Sequence, residues 1–250
     1  MAQSGIGLIE IFDDFLGEED RLTGTHTAYK RSVGPFRVYG CGSEDGATGG
    51  VPLDETVCPL GGVAVVTAST TASDITGLTT TKMFDVALMA PLIMETRVQF
   101  AGLDEKSFFV GFSNENDEAE TAILTSSGTT VVYVASDFVG FHWDHSMTGV
   151  SEDDWHGVYR GGSAADETDS GELDLDSAIA TGLWDILRVE VDNNGTARWY
   201  VNGVLKKTLA GAVSTTTNLA AQLYVESHSS TAGVVYVDYI LVRAGRDWTR

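Results

Sequence analysis

Residues 171–176 have the residue types and spacing that a strand would need for glycoside hydrolysis. Their sequence is Gly-Glu-Leu-Asp-Leu-Asp. Because side chains alternate along a strand, Glu172, Asp174 and Asp176 would project from one face and the two leucines from the other. A retaining glycosidase needs two carboxyl groups about 5 Å apart, one a nucleophile and one an acid/base with a raised pKa. Few apolar residues flank this acidic stretch, so we interpret it as a solvated loop and predict no catalytic residues.

A second group of chemically competent residues lies in the sequence Phe-His-Trp-Asp-His at positions 141–145. His142 and His145 are an odd number of residues apart, so one strand cannot present both to a single zinc ion. His142 and Asp144 could share a face, and His156 could approach them across a hairpin. The alternative is that all four are ordinary sheet and rim residues, and this is the interpretation that we adopt.

Calcium is the only cofactor for which the sequence offers candidates. Hard cations bind several carboxylate and carbonyl oxygens, and Asp13, Asp14 and Asp238 could supply them. None of these residues follows the spacing of a twelve-residue calcium loop. Asp192 and Asn194 also carry suitable oxygens, but they are already explained as turn residues. We therefore predict no obligatory cofactor, with calcium as the alternative.

Aromatic residues could form a platform for a sugar. The five tryptophans are Trp143, Trp155, Trp184, Trp199 and Trp248. Trp199 alternates with buried positions and is predicted to be a core residue. Trp248 lies in the C-terminal tail, where it is either exposed or docked on a neighbouring molecule.

Composition favours strands and restricts the partners. The chain has 250 residues, 28 glycines, 4 prolines and 43% hydrophobic residues, which suits one large all-β domain with a hydrophobic core. Its net charge is −21, and a surface this acidic repels nucleic acid and anionic membranes. The N-terminus lacks the basic and apolar regions of a secretory signal, and no apolar run approaches the roughly 18 residues of a membrane span. We expect a soluble protein that is made in a cytoplasm.

The only cysteines are Cys41 and Cys58. Two cysteines are too few for a disulfide framework and cannot form a zinc site alone. Both lie in a glycine-rich region. Free thiols and one local disulfide remain as alternatives.

The elements that must position these residues are strands, and the clearest of them form a meander at residues 183–208. Leu187, Val189 and Val191 alternate with charged residues, which predicts a strand with one buried face. The pairs Asn194-Gly195 and Asn202-Gly203 suit tight hairpin turns because Asn and Gly tolerate a positive φ.

Further strands are predicted at regular spacing along the chain, at residues 8–12, 36–39, 63–67, 82–89, 93–103, 107–113, 121–125, 130–135, 138–145, 155–160, 219–226 and 234–243. Many short strands of this kind predict an all-β fold, an antiparallel two-sheet β-sandwich with long loops. The last strand is apolar on both faces and is predicted to be central. We expect one domain: residues 1–62 form an N-terminal strand and a loop-rich contact arm of the same fold, 63–243 the core, and 244–250 a tail.

The pattern resembles the concanavalin A-like lectin/glucanase jelly roll. The resemblance rests on the meander with its Tyr-Val-Asn-Gly turn, on the terminal Val-Asp-Tyr-Ile-Leu-Val strand, and on the opening Phe-Asp-Asp-Phe at residues 12–15. It covers residues 93–113 and 184–243 best. It implies that the first and last strands lie together in one sheet. The glucanases of this group carry a Glu-x-Asp-x-(x)-Glu strand, whereas here the last position is Asp176.

These observations together predict a non-enzymatic virion structural protein, a capsid decoration or head-fibre protein of a tailed bacteriophage. It would be assembled in the host cytoplasm and bind the major capsid protein or another virion protein through its loops and termini, as a trimer or other homo-oligomer. The alternative is a carbohydrate-binding, lectin-like module that adheres to host glycans. A glycoside hydrolase that uses Glu172 and Asp176 is the third hypothesis.

Overall fold

The computed structural model describes residues 2–5, 7–15, 32–40, 62–115, 122–148 and 152–246. Within these ranges almost all regular structure is β-strand. The first ten strands are β1 (Ala2–Gly5), β2 (Leu8–Asp13), β3 (Ser32–Val33), β4 (Phe36–Gly40), β5 (Ala64–Thr67), β6 (Ile75–Thr79), β7 (Phe84–Asp85), β8 (Leu92–Gln99), β9 (Lys106–Ser113) and β10 (Leu124–Ser127). The others are β11 (Thr130–Tyr133), β12 (Phe138–Asp144), β13 (Asp154–Arg160), β14 (Asp174–Ala178), β15 (Trp184–Val191), β16 (Ala197–Val201), β17 (Val204–Leu209), β18 (Asn218–Ser227) and β19 (Val234–Gly245). Two single helical turns, α1 (Val86–Met89) and α2 (Ser170–Leu173), interrupt them. No helix in these ranges is long and apolar enough to cross a membrane.

The strands form two large antiparallel sheets. The eight-stranded sheet has the order β1-β2-β19-β8-β15-β16-β17, with β5 also paired to β19. The nine-stranded sheet has the order β14-β13-β12-β9-β18-β6-β4-β3, with β7 also paired to β18. This is the predicted two-sheet β-sandwich. The last strand, β19, lies between β2 and β8, so the predictions that it is central and that it pairs with the opening strand are confirmed.

The core lies between the two sheets and is rich in aromatic rings. Phe100 contacts the rings of Phe108, Trp143 and Trp155 at centroid distances of 5.4–5.8 Å. Trp199 on β16 is fully buried, and its indole Nε1 donates a 2.7 Å hydrogen bond to the carbonyl of Gly140 on β12 of the opposite sheet. Aromatic side chains of this kind bury a large apolar area, so they fix the spacing of the two sheets.

The predicted meander is present as β15, β16 and β17. The second turn is a two-residue hairpin in which Asn202 and Gly203 have φ values of 51° and 79°, as such turns require. The first turn is wider than predicted. Asp192 and Thr196 close it through a backbone hydrogen bond, and Gly195 is its one residue with positive φ.

Three parts of the predicted strand pattern are wrong. The strand predicted at 82–89 consists of the two-residue β7 followed by α1, because the side chain of Asp85 caps that turn by accepting from the Leu88 amide. No strand is predicted between residues 67 and 82, but this Ser/Thr-rich segment contains β6, which neighbouring strands bury along its whole length. The segment 171–176, interpreted as a solvated loop, consists of parts of α2 and β14.

The predicted contact arm, residues 1–62, contributes β2 to one sheet and β4 to the other. Its remaining loops, including Cys41 and Cys58, lie largely outside the described residues, so its role as an arm stays a prediction. At the other end β19 continues to Gly245, two residues past the predicted boundary of the tail.

Candidate functional site

The outer face of the nine-stranded sheet is covered by the chain itself. The hairpin β10–β11 lies over this face, with Leu124 and Val131 fully buried and the Tyr133 ring 5.1 Å from that of Phe138. The loop before α2 holds the hairpin from the side: the amide of Val131 donates to the carbonyl of Thr168. Protein therefore occupies the outer face of the sheet that contains β14.

A buried polar network anchors this hairpin. Asp144 accepts hydrogen bonds from the backbone amides of Ser126 (3.1 Å) and Ser146 (2.7 Å). The Nδ1 atom of His228 lies 3.5 Å from Asp144, and its Nε2 atom lies 3.8 Å from Glu226. Burial would by itself lower the pKa of His228, but Glu226 and Asp144 outweigh it and raise that pKa above its ordinary value. Burial raises the pKa of Asp144.

His142 belongs to the same network and is fully buried. Its Nδ1 atom lies 2.9 Å from the carbonyl oxygen of Phe108, and its Nε2 atom lies 2.9 Å from the hydroxyl of Ser126. The carbonyl can only accept, so Nδ1 carries the proton and the serine donates to Nε2. Burial lowers the pKa of His142 to about 3, so the ring is neutral near pH 7 and acts as a fixed hydrogen-bonding group.

The structure confirms the predicted geometry of the histidine group. His142 and Asp144 share the outer face, 3.9 Å apart, and His156 is paired with His142 in register. His145 follows β12 and is exposed. Within the part of the chain that the structure describes, no group of three or more histidine, cysteine or acidic side chains could hold a metal ion.

The acidic segment 171–176 does not form one strand. Glu172 lies in the helical turn α2, whose first turn is capped by Asp169, and only Asp174 and Asp176 lie on β14 at the edge of the nine-stranded sheet. Glu172 and Asp176 are both exposed, and the amide of Asp176 donates to the Asp174 carboxylate at 2.8 Å. Burial and the neighbouring Asp174 raise the pKa of Asp154. Asp174 is thus coupled to Asp154 rather than to Glu172.

The calcium candidates are not brought together. The carboxylate of Asp238 forms a 2.8 Å ion pair with Arg97 on the outer face of the eight-stranded sheet. Asp13 is paired with Ile240, whose side chain is fully buried between the sheets, and one Asp13 oxygen accepts from the amide of Phe15. Asp14 follows the end of β2. No metal site that includes them occurs among the described residues.

The described tryptophans lie either in the core or on the outer face of a sheet. Trp143, Trp155 and Trp199 are fully buried, which confirms the core assignment of Trp199. Trp184 is only partly buried, and the guanidinium of Arg97 lies 4.8 Å from its ring centroid. Trp248 lies outside the described residues.

The outer face of the eight-stranded sheet carries a candidate binding surface. Strand alternation and register place Arg188 of β15 between Glu95 of β8 and Tyr200 of β16. Around them is a pocket of about 420 Å³ lined by Glu95, Ile186, Arg188, Glu190, Tyr200 and Asn202. We call it the Tyr200 pocket. Its size is within the range of small-ligand sites, about 300–1,000 Å³.

Polar contacts hold the side chains of the Tyr200 pocket in place. The Arg188 guanidinium pairs with Glu190 and lies 3.9 Å from Glu95, and it lies 5.6 Å from the centroid of the Tyr200 ring. The Tyr200 hydroxyl lies 3.3 Å from Glu190. Asn202 donates to Asp185 at 2.8 Å and accepts from the amide of Ile186 at 2.9 Å. These contacts restrict the side chains that line the pocket, and restricted side chains lose less conformational entropy when a ligand binds.

A second opening of about 450 Å³ lies at one end of the sandwich. Three acidic residues, Asp104, Glu152 and Asp153, line it together with His145, Thr148 and two apolar side chains. Among the described residues, no phenylalanine, tyrosine or tryptophan lines it. A ligand that must be recognised through both ring contacts and hydrogen bonds therefore fits the Tyr200 pocket better.

The sequence alone shows that charged residues alternate with the buried ones in the meander, but it assigns them no chemistry. The missing information was the register. Only the pairing of β15 with β8 brings Glu95 beside Arg188, and alternation within the meander shows no more than that Arg188 and Tyr200 face the same way.

Comparison with known proteins identifies the fold. No protein-family model and no curated protein matches the sequence. Among solved structures, a protein of unknown function from Shewanella oneidensis MR-1 matches with a TM-score of 0.61 at 15% identity, over 100% of this chain and 92% of that one. The carbohydrate recognition domain of Emp47p matches at 0.55 and 12% (85% and 90% covered), and the Bacillus licheniformis β-glucanase at 0.52 and 11% (98% and 100%). The chain has the concanavalin A-like lectin/glucanase jelly-roll fold.

Proposed function

We propose that this domain binds carbohydrate without cleaving it, at the Tyr200 pocket. The observation that carries the proposal is the combination of an aromatic ring, two carboxylates and a guanidinium around one preformed pocket. The fold supports it, since a similar structure is described as a carbohydrate recognition domain. Fold alone does not transfer function, so the argument rests on the pocket.

The chemistry of sugars matches this lining. A sugar ring has apolar C–H groups that can pack against an aromatic side chain, and hydroxyl groups that both donate and accept hydrogen bonds. Tyr200 offers the ring, Glu95 and Glu190 accept, and Arg188 donates.

The non-catalytic part of the proposal rests on the outer face of the nine-stranded sheet. The hairpin β10–β11 covers that face, and the candidates Glu172 and Asp176 lie on different elements with exposed side chains. If the protein cleaves any polysaccharide, Glu172→Gln is expected to leave the rate unchanged.

Replacing Tyr200 by alanine is expected to weaken glycan binding at least about 10-fold, because the ring and the hydroxyl that contacts Glu190 are both lost. A glycan array with the purified protein identifies the oligosaccharide, and calorimetric titration measures its affinity. The control is Tyr236→Ala, which removes a partly buried tyrosine from β19 on the same sheet face, outside the pocket. Equal loss in both variants, or no loss in either, would refute this site.

The virion role stays a prediction. The three structures named above are not described as virion components, and no contact in the described chain points to a capsid protein. Co-sedimentation of the purified protein with phage shells, or light scattering that shows a trimer, would favour it over free carbohydrate binding.

A further inference from the structure

We infer that the Tyr200 pocket selects amino sugars with a free, protonated amine over N-acetylated or acidic sugars. This inference rests on the proposed function, because it specifies the ligand of the same site. It follows from the charges that line the pocket and from the acceptor atoms that remain open there.

The pocket has an excess of negative charge. Glu95 and Glu190 line it with one cation, Arg188, so two carboxylates and one guanidinium leave a formal charge of −1. The whole chain carries −21, and its long-range field therefore favours cationic ligands and repels anionic ones. A uronic acid or a sulfated sugar would bring a third negative charge next to these two carboxylates.

The carboxylates are shielded but not saturated. The side chains of Glu95 and Glu190 are 23% and 18% exposed, so solvent and salt screen them less than fully exposed groups. Glu190 contacts Arg188 with one oxygen and the Tyr200 hydroxyl with the other. Glu95 accepts one hydrogen bond, from the Tyr239 hydroxyl at 2.7 Å. Each carboxylate has about four acceptor positions. Acceptor capacity therefore remains for the three N–H donors of an ammonium group.

Arg188 cannot take over as the dominant charge of the site. Its guanidinium already pairs with Glu190 and lies 3.9 Å from Glu95, so an incoming carboxylate would compete with two acidic groups that belong to the protein. An ammonium group shares the two carboxylates with this single guanidinium, so one negative charge remains to attract it. The ring of Tyr200 can add a cation–π contact.

Calorimetric titration with three short probes at pH 6 and low ionic strength tests the inference. The probes are the trimer of glucosamine, the trimer of N-acetylglucosamine and a trimer of mannuronic acid. We expect the glucosamine trimer to bind at least about 10-fold more tightly than the acetylated trimer, because acetylation removes the charge, and the uronate to bind least.

Two variants with the same change in charge locate the effect. Glu190→Gln is expected to abolish the preference, whereas Glu172→Gln removes an exposed carboxylate from α2 and is expected to preserve it. Thermal unfolding checks that both variants fold. If Glu190→Gln is unstable, Glu95→Gln replaces it in the same comparison.

The outcomes separate this inference from the proposed function. Binding of the acetylated trimer as tightly as the amine would overturn the amine selectivity while leaving carbohydrate binding intact. Equal loss of affinity in Glu190→Gln and Glu172→Gln would show non-specific attraction to an acidic protein and would also overturn it. Failure to bind these probes or any glycan of the array would refute the proposed function itself.

Discussion

Trp199→Ala is expected to lower the free energy of unfolding by about 3–5 kcal/mol. The side chain is fully buried between the sheets, so its removal leaves a cavity in a close-packed core. It also leaves the carbonyl of Gly140 without the indole N–H that it accepts at 2.7 Å. Loss of a partner for a buried polar group adds its own cost, about 1–3 kcal/mol.

Denaturant unfolding followed by fluorescence and circular dichroism measures this change. Trp184→Ala is the matched control, because it removes the same side chain from a partly buried position on the outer face of the same sheet. We expect it to cost less than about 1.5 kcal/mol. Similar losses in the two variants would mean that Trp199 does not bridge the sheets as described.

Acidification is expected to destabilise the fold through His142. Burial lowers its pKa from 6.5 to about 3, so the unfolded chain binds this proton more readily than the folded one. The contribution of His142 to stability is therefore complete above pH 6.5 and is lost as the pH falls towards 3. Linkage gives a loss of about 3 kcal/mol between pH 7 and pH 4. Burial also lowers the pKa of His156, which acts in the same direction.

Other groups in the network oppose this trend. The pKa of His228 is raised, so its contribution is complete below pH 6.5 and is lost as the pH rises through its folded value. The raised pKa of Asp144 likewise favours the folded state at lower pH. The effect of His142 must therefore be isolated as a difference between two proteins.

The comparison is between the wild type and His142→Gln, in which an amide can still form hydrogen bonds but does not titrate. Urea unfolding from pH 4 to pH 8 should show a smaller acid loss in the variant. Identical pH profiles would contradict the assignment of His142 as a buried neutral ring that anchors the hairpin.

Much of this fold follows from local sequence pattern. Alternation of apolar and polar residues identified β8 and the meander, and an Asn-Gly pair marked the two-residue turn at Asn202. Predictions from local pattern were wrong where neighbouring strands or a helix cap determine the secondary structure. Ile75–Thr79 is a strand that its sheet neighbours bury, although its sequence lacks a regular alternation of apolar and polar residues. Glu172 lies in a helical turn rather than in the predicted loop, because Asp169 caps that turn.

The candidate site depends on the register in which distant strands pair, and this register cannot be predicted from the pattern of one sequence. Glu95, Arg188 and Tyr200 lie on three different strands and become neighbours only through the pairing of β8, β15 and β16. The hairpin β10–β11 that covers the nine-stranded sheet also depends on contacts between residues far apart in sequence. Its key contact, between Ser126 and His142, joins a hairpin to a sheet face.

The central claim is that carbohydrate binds in the Tyr200 pocket on the eight-stranded sheet. Backbone amide chemical shifts of ¹⁵N-labelled protein, followed during titration with the oligosaccharide that binds best, test it most directly. We predict that the largest shifts occur at Glu95, Arg188, Tyr200 and their strand neighbours. Shifts concentrated on the hairpin Leu124–Tyr133 over the other sheet, with the Tyr200 amide unchanged, would contradict the claim.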